Sequence, residues 1–189
     1  MLAYELGYRI RPTSRLVLSL ATFYQDYDDV HSVEPELANP RTLVFGSGLR
    51  ANSWGVELFG TYQVTREWRL RGGYTYFDKV VWEKAGVIDV SQGRAEGDDP
   101  QNQFLLQSLL DLPYHLEFDL TARYVDTLPS PNVPSYFTFD ARLAWKPRKN
   151  LELAIVGQNL WQAQHAEFGD ALTRQEIPRS VYGKLTWWF

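Results

Sequence analysis

From Leu2 to Ile10 every second residue is large and apolar. Leu2, Tyr4, Leu6, Tyr8 and Ile10 alternate with Ala3, Glu5, Gly7, Arg9 and Arg11. Successive side chains of an extended chain point to opposite faces, so this spacing predicts a strand with one greasy and one polar side. Pro12-Thr13-Ser14 turns it. A second strand sets Leu16, Leu18, Leu20, Thr22 and Tyr24 against Ser19, Ala21 and Gln25, and ends at the acidic run Asp26, Asp28, Asp29. Residues 31–48, with Pro35, Pro40, Gly46 and Gly48, read as a long loop. A third strand places Trp54, Val56, Leu58, Tyr62 and Val64 opposite Ser53, Glu57, Thr61 and Gln63, and turns at Thr65-Arg66-Glu67. The fourth has Trp68, Leu70, Tyr74 and Tyr76 against Arg69, Arg71 and Thr75, followed by a polar loop at about residues 83–100. In the fifth, Phe104, Leu106, Leu110 and Leu112 face away from Gln103, Gln107 and Asp111, with Leu105 and Leu109 as apolar exceptions on the polar side.

After the turn at Pro113-Tyr114 the pattern is at its cleanest. Leu116, Phe118, Leu120, Ala122 and Tyr124 alternate with Glu117, Asp119, Thr121 and Arg123; then Phe137, Phe139, Ala141, Leu143 and Trp145 alternate with Thr138, Asp140, Arg142 and Lys146. Lys146 to Asn150 reads as a solvated basic turn, an eighth strand runs from Leu151 to Trp161, and a loop at about 162–176 precedes the closing strand Ile177 to Phe189. In that last strand Val181, Gly183, Leu185, Trp187 and Phe189 share one face, and Ser180, Tyr182, Lys184, Thr186 and Trp188 the other. About nine such segments, joined alternately by tight turns and longer connections and without a helix-period stretch, predict an all-β antiparallel transmembrane barrel: lipid outside, polar groups inside, aromatic girdles at the interfaces. Short turns on the periplasmic side put Pro12, Arg66, Pro113 and Pro147 there and the longer connections outside the cell. Bacterial single-chain barrels have an even number of strands and an open sheet in lipid leaves unpaired edges, so the nine strands are expected to be part of a larger barrel.

Composition changes that picture little. The chain has 189 residues, 44% hydrophobic and 22% charged, which hydropathy alone would file as soluble; no run approaches the ~20 apolar residues of a membrane helix. Aromatic residues make up 15%, including 7 Trp and 11 Tyr, as suits anchoring at two membrane interfaces. With no Cys, disulfides, thiolate metal sites and a cysteine nucleophile are excluded. A net charge of -4 without a basic stripe argues against a nucleic-acid partner. Arg9, Arg11 and Arg15 before the short run Leu16 to Ala21 do not make a secretory signal.

Candidate chemistry is sparse. Arg69, Arg71, Arg123, Arg142 and Lys184 share the polar face with Glu57, Glu117, Asp119 and Asp140, and are read as possible lumen-lining residues that pair with one another or grip a plug inside the barrel, in preference to lining a path for an anionic chelate. His31 and His165 are read as solvated loop histidines, His115 as interfacial, and Asp26, Asp28, Asp29, Glu96, Asp98 and Asp99 as solvated loop carboxylates rather than cation ligands. No catalytic residue, cofactor or metal site is expected. Three scattered histidines do not make a barrel hydrolase, and a structural or adhesive barrel without transport remains an alternative.

Certain segments carry a resemblance. Ala3-Tyr4-Glu5-Leu6-Gly7-Tyr8-Arg9, Ala21-Thr22-Phe23-Tyr24-Gln25-Asp26-Tyr27-Asp28-Asp29, and Gly157-Gln158-Asn159-Leu160-Trp161 followed by Trp187-Trp188-Phe189 resemble the carboxyl-terminal barrel of TonB-dependent outer-membrane receptors. The resemblance covers residues 1–189 and implies about nine strands of a 22-stranded barrel, without the family's plug domain or energy-coupling segment. It implies active uptake of a scarce solute or metal chelate such as a ferric siderophore, energised through the TonB system, in the outer membrane of a Gram-negative bacterium. Phe189, Trp187 and Leu185 are similar to the terminal signal read by the outer-membrane barrel assembly machinery.

Overall fold

The computed structural model describes residues 1–91, 94 and 98–189. Its strands are β1 (Leu2–Thr13), β2 (Leu16–Pro35), β3 (Leu43–Gln63), β4 (Trp68–Glu83), β5 (Asn102–Leu112), β6 (Leu116–Val125), β7 (Tyr136–Arg148), β8 (Leu151–Gln158), β9 (Gln164–Ala166), β10 (Glu176–Pro178) and β11 (Ser180–Trp187). Nine of them form one antiparallel sheet in the order β1-β2-β3-β4-β5-β6-β7-β8-β11, while β9 and β10 form a separate hairpin. Apart from β9 and β10, which intervene between β8 and β11, neighbours in the sequence are neighbours in the sheet, and β1 and β11 are its two edges; the sheet does not close on itself.

Alternation sets the two faces as read. A single cross-sheet row, Ile10, Leu18, Gly60, Gly72, Leu106, Ala122 and Phe139, is carried by successive register pairs and is apolar throughout. Large side chains on this face stay open to the surroundings, with Leu6 74% exposed and Ile155 62% exposed, so water is not the solvent they are built for. Two aromatic belts bound the face. One runs Tyr4–Tyr24, Trp54–Tyr76 and Tyr74–Phe104–Tyr124, with ring centroids 4.6 to 6.5 Å apart. Trp68, Trp145 and Trp187, each on this same face near the tight turns, mark the other. From Leu116, opposite Trp145, to Tyr124 is eight steps along β6, roughly 26 Å at about 3.3 Å per residue, which a ~40° tilt shortens to about 20 Å. That is commensurate with the ~25 Å apolar band of an outer-membrane barrel.

Three boundaries differ from those the pattern predicts. The long loop at 31–48 is mostly paired strand: β2 and β3 continue to Pro35 opposite Leu43, leaving residues 36–42 as the connection. Bulges between Tyr27 and Ser32 shift the register, and Gly46 and Gly48 serve the strand rather than break it. A Cβ at either would stand 2.3 to 2.5 Å from Glu34 Oε1, so their bare backbone makes room for that carboxylate. At 20 and 21 residues, β2 and β3 exceed the ~9–11 needed to cross a membrane, and their hairpin projects well past the aromatic belt. The eighth strand stops at Gln158, because Asn159 turns out of it with φ 53°. Ile177 belongs to the β9–β10 hairpin rather than the closing strand; β11 begins at Ser180, and Phe189 lies beyond its last residue.

Candidate functional site

The polar face divides into two sectors. On β6–β8 the centre is Arg142. Its Nη1 donates to Asp119 Oδ2 at 2.8 Å and Glu117 Oε2 at 3.2 Å, and its Nη2 donates to Glu152 Oε1 at 2.7 Å. Register puts Asp119 directly opposite Arg142, so the guanidinium needs no long reach. Lys146 donates to Glu117 and lies 3.7 Å from Glu152 Oε2. It belongs to β7 and to this lattice rather than to a solvated turn. Glu152, only 8% exposed, went unmarked by charge clustering; its parity one residue after Leu151 was the available signal.

Toward the other end of these strands, Arg123 pairs outside the set expected for it. Its Nη2 donates to Glu167 Oε1 at 2.6 Å, and its guanidinium carbon stands 5.6 Å from the Tyr136 ring centre. Glu167 Oε1 also lies 3.0 Å from His165 Nε2, and the His165 ring stacks on Tyr136 at 4.5 Å. His165 is therefore buried at 6% exposure, not solvated, and its Nδ1 has no partner among the described residues. Together these contacts fasten the segment around β9 to the wall. Asp140 pairs with no cation among the described residues: its Oδ1 accepts the backbone N–H of Asn159 at 2.8 Å and anchors the chain as it leaves β8. Arg69 donates to Gln63 Oε1 at 2.9 Å. Among the described residues, Arg71, Lys184 and Glu57 have no ion pair. Of the four arginines expected to pair with carboxylates of the predicted set, Arg142 alone does so.

In the second sector, on β1–β5, aromatic and aliphatic side chains stand among the polar ones. Phe23, Gly55 and Phe77 lie side by side in register on the polar-parity face, and the two rings meet across the glycine with centroids 6.2 Å apart. Phe59 lies two residues on from Glu57, and Leu105 opposite Gly73. Of these, the alternation marked Leu105 as an exception and passed over the phenylalanines.

Beyond the first aromatic belt the charges are organised. Asp28 Oδ1 accepts Arg50 Nε at 2.6 Å, which holds its carboxyl below the usual aspartate range. Lys84 bonds Asp29 at 2.5 Å and Lys79 bonds Asp99 at 2.6 Å. Asp26 and these two aspartates of β2 are strand residues, not loop residues. His31 is also in β2, with its ring 4.9 Å from that of Phe45; His115 ends the short turn Pro113–His115. Glu96 lies outside the described residues. Burial pushes the Asp98 carboxyl up, and the Asn102 amide holds Asp126 down.

The sequence model of the family described as TonB dependent receptor-like, beta-barrel matches residues 2–160. The chain belongs to that family. Solved TonB-dependent receptor barrels share its fold. It is similar to the ferric-catecholate import receptor Fiu of E. coli K12 (19% identity, TM-score 0.71), the siderophore receptor PiuA of Acinetobacter baumannii (20%, 0.74) and the FrpB iron transporter of Neisseria meningitidis (14%, 0.81). Each match covers 98% of this chain and 27 to 30% of the other. The chain thus spans under a third of the length of these TonB-dependent receptors, and its open nine-stranded sheet corresponds to part of their closed barrel. In such a barrel the apolar face is the outside and the face carrying Arg142 and Phe23 the inside.

Proposed function

We propose that this chain supplies wall strands and outer loops to an outer-membrane transport receptor of a Gram-negative bacterium, taking up a scarce solute such as a ferric siderophore with energy relayed through the TonB system. The observation that carries this reading is the two-faced sheet itself: an apolar band between two aromatic belts, a charged and aromatic interior, and two unpaired edges, in a chain of the TonB-dependent receptor family. The names of the similar structures, an import receptor for ferric catecholate and a siderophore receptor among them, support an iron chelate as the solute. Lipid contacts the apolar face; Phe189, Trp187 and Leu185, with Leu185 and Trp187 on the exposed outer side of β11, are the segment offered to the barrel assembly machinery. Arg69, Arg71, Glu117, Asp119, Arg123, Asp140 and Arg142 line the lumen. The chain has no catalytic role.

Membrane fractionation and uptake together test this. Cells expressing the receptor that contains this chain are expected to hold it in the outer membrane and to accumulate radioactive iron from a ferric siderophore, with uptake abolished by collapse of the inner-membrane proton gradient. Recovery in the soluble fraction sinks the membrane reading. Outer-membrane recovery without gradient-dependent uptake of any ferric chelate leaves the structural or adhesive barrel.

A further inference from the structure

Where β7 turns into β8, the outward, apolar face of the sheet ends in a pair of cations, and the register puts them there. Leu143, Ile155 and Gly183 form one cross-strand row of that face, Trp145, Leu153 and Leu185 the next, and Arg148, Leu151 and Trp187 the last. Counted from Trp145, plain alternation would point residue 148 inward. A bulge between Trp145 and Arg148 adds one residue, so Arg148 comes out beside Leu151 on the apolar side. Pro147, which has no N–H to give the ladder, lies within the bulge. Lys149 follows in the turn, exposed like Arg148. Neither side chain has a hydrogen bond or ion pair among the described residues, and no carboxylate stands in the three rows. Next to the cations, toward the middle of the apolar band, lies a groove of about 430 Å3. Leu116, Leu143, Trp145, Leu153, Ile155 and Leu185 line it, and Gly183 leaves it open, with nothing within 4 Å of where a Cβ would stand. Trp145 and Trp187, 46% and 59% exposed, flank the junction of groove and cations.

We propose that the groove and the two cations together hold one anionic phospholipid, with an acyl chain over Gly183 and the headgroup phosphodiester on Arg148 and Lys149. A guanidinium donates paired N–H bonds to phosphate oxygens and an ammonium adds a compact point charge. Both side chains can lay their stems along apolar surface while the charged ends stay at the interface, the level that Trp145 and Trp187 also favour. The groove lies inside the apolar band, where its neighbour is lipid and not a water-borne partner. Charge selects the headgroup. A zwitterionic lipid would bring its own ammonium against two like charges, whereas an anionic one neutralises them. An inorganic anion would leave the groove unfilled. The proposal rests on the membrane-spanning reading of the sheet and not on solute uptake.

The test is photocrosslinking of the outer-membrane protein that carries the chain, held in phosphatidylcholine nanodiscs. The probes are traces of phosphatidylglycerol or, as its zwitterionic counterpart, phosphatidylethanolamine, each with a diazirine on the acyl chain, and labelled peptides are mapped by mass spectrometry. Phosphatidylglycerol label is expected to concentrate on Trp145–Leu153 and Gly183–Trp187 and to be competed by unlabelled phosphatidylglycerol. It is expected to exceed the phosphatidylethanolamine label there roughly 5- to 30-fold. R148Q/K149Q should bring that ratio to about one. Gly183→Leu, which fills the groove without touching the charges, should lower the phosphatidylglycerol label at the site and leave the other outward strands as they were; it decides the matter should R148Q/K149Q not assemble. R11Q/R15Q takes the same charge from the β1–β2 turn and should leave the ratio at this site unchanged. Equal labelling by the two lipids, an unchanged ratio in R148Q/K149Q, undiminished label in Gly183→Leu, or an equal fall in R11Q/R15Q overturns the proposal while the membrane reading stands. Label on none of the outward strands sinks both.

Discussion

Arg142 and Gly55 both belong to inward rows of the same sheet, yet they organise opposite surroundings. Around Arg142, three carboxylates converge on one guanidinium and one ammonium within 3.7 Å, so the β6–β8 wall satisfies its own charges. Around Gly55, two phenylalanine rings close over a missing side chain, and the exposed carboxylates Glu5 and Glu57 have no ion pair among the described residues, so the charges of the β1–β5 wall are left to whatever fills the space beside them. An identical period-two alternation thus encodes a self-contained wall in one sector and a receptive one in the other. What separates them is whether opposite charges fall opposite one another in register.

Removing the shared cation should have the largest effect. Arg142→Met leaves Glu117 and Glu152 with Lys146 alone and takes from Asp119 the cation it pairs with, and we expect a loss of about 2–3 kcal/mol in urea unfolding from detergent micelles. That is below the ~3–5 kcal/mol of a fully buried pair, because a quarter of the Arg142 side chain meets solvent. Arg71→Met, in the receptive sector, should change stability by no more than about 0.5 kcal/mol. Equal effects at the two sites would break the comparison. Next comes Gly55→Ala, whose added methyl meets Phe23 Cζ and the Tyr76 carbonyl oxygen, both at 2.5 Å; overpacking of this kind costs about 1–3 kcal/mol. Gly183→Ala on β11, with nothing within 4 Å of the new Cβ, should be close to neutral by the same measurement. A smaller effect is expected at the hairpin clamp. Glu167→Ala removes the acceptor shared by Arg123 and His165 and should cost about 1 kcal/mol, read as faster amide exchange confined to Gln164–Ala166.

How far the sequence discloses these sectors depends on the length scale. Strand number, order and facing are legible because alternation is a local property, repeated at Leu116 to Tyr124 without exception and at Phe137 to Trp145 with Ala144 alone out of pattern. The extent of β2 and β3 is not, because Gly46 and Gly48 carry the same local signal in a loop as beside a crowding carboxylate, and only the cross-strand position of Glu34 distinguishes the two. Pairing is legible where partners are opposite on adjacent strands, as Asp119 and Arg142 are. It is hidden where a loop returns to the wall, as Glu167 and His165 do to Arg123 and Tyr136. Phe23 and Phe77 are separated by 54 positions, and their contact follows from register alone.

At the outer rim the same contrast recurs as a difference in sign. Asp98, in the connection before β5, has an Oδ1 without a partner among the described residues, and its carboxyl is pushed up by burial, against the hydrogen bond from Ser130. Asp126, following β6, is held down first by the Asn102 amide, which donates at 2.8 Å, with the Thr127 N–H at 3.0 Å helping. A raised folded value means that the ionised form is penalised at neutral pH, so Asp98 costs stability there and the cost is relieved as pH falls through the raised value, above the ordinary ~3.9. A lowered value means that Asp126 contributes stability above ~3.9 that is lost as pH falls through its depressed value. Stability measured from about pH 6 to pH 3 should therefore first rise slightly and then fall. Asp98→Asn should raise stability at the neutral end and remove the rise. Asp126→Asn should lower stability at the neutral end and make the fall below the ordinary value smaller, the remainder belonging to groups such as Asp28 that are also held down. If Asp98→Asn instead lowers neutral stability, its carboxylate is satisfied in solution, and the rim of the β1–β5 sector is as self-contained as the wall of β6–β8.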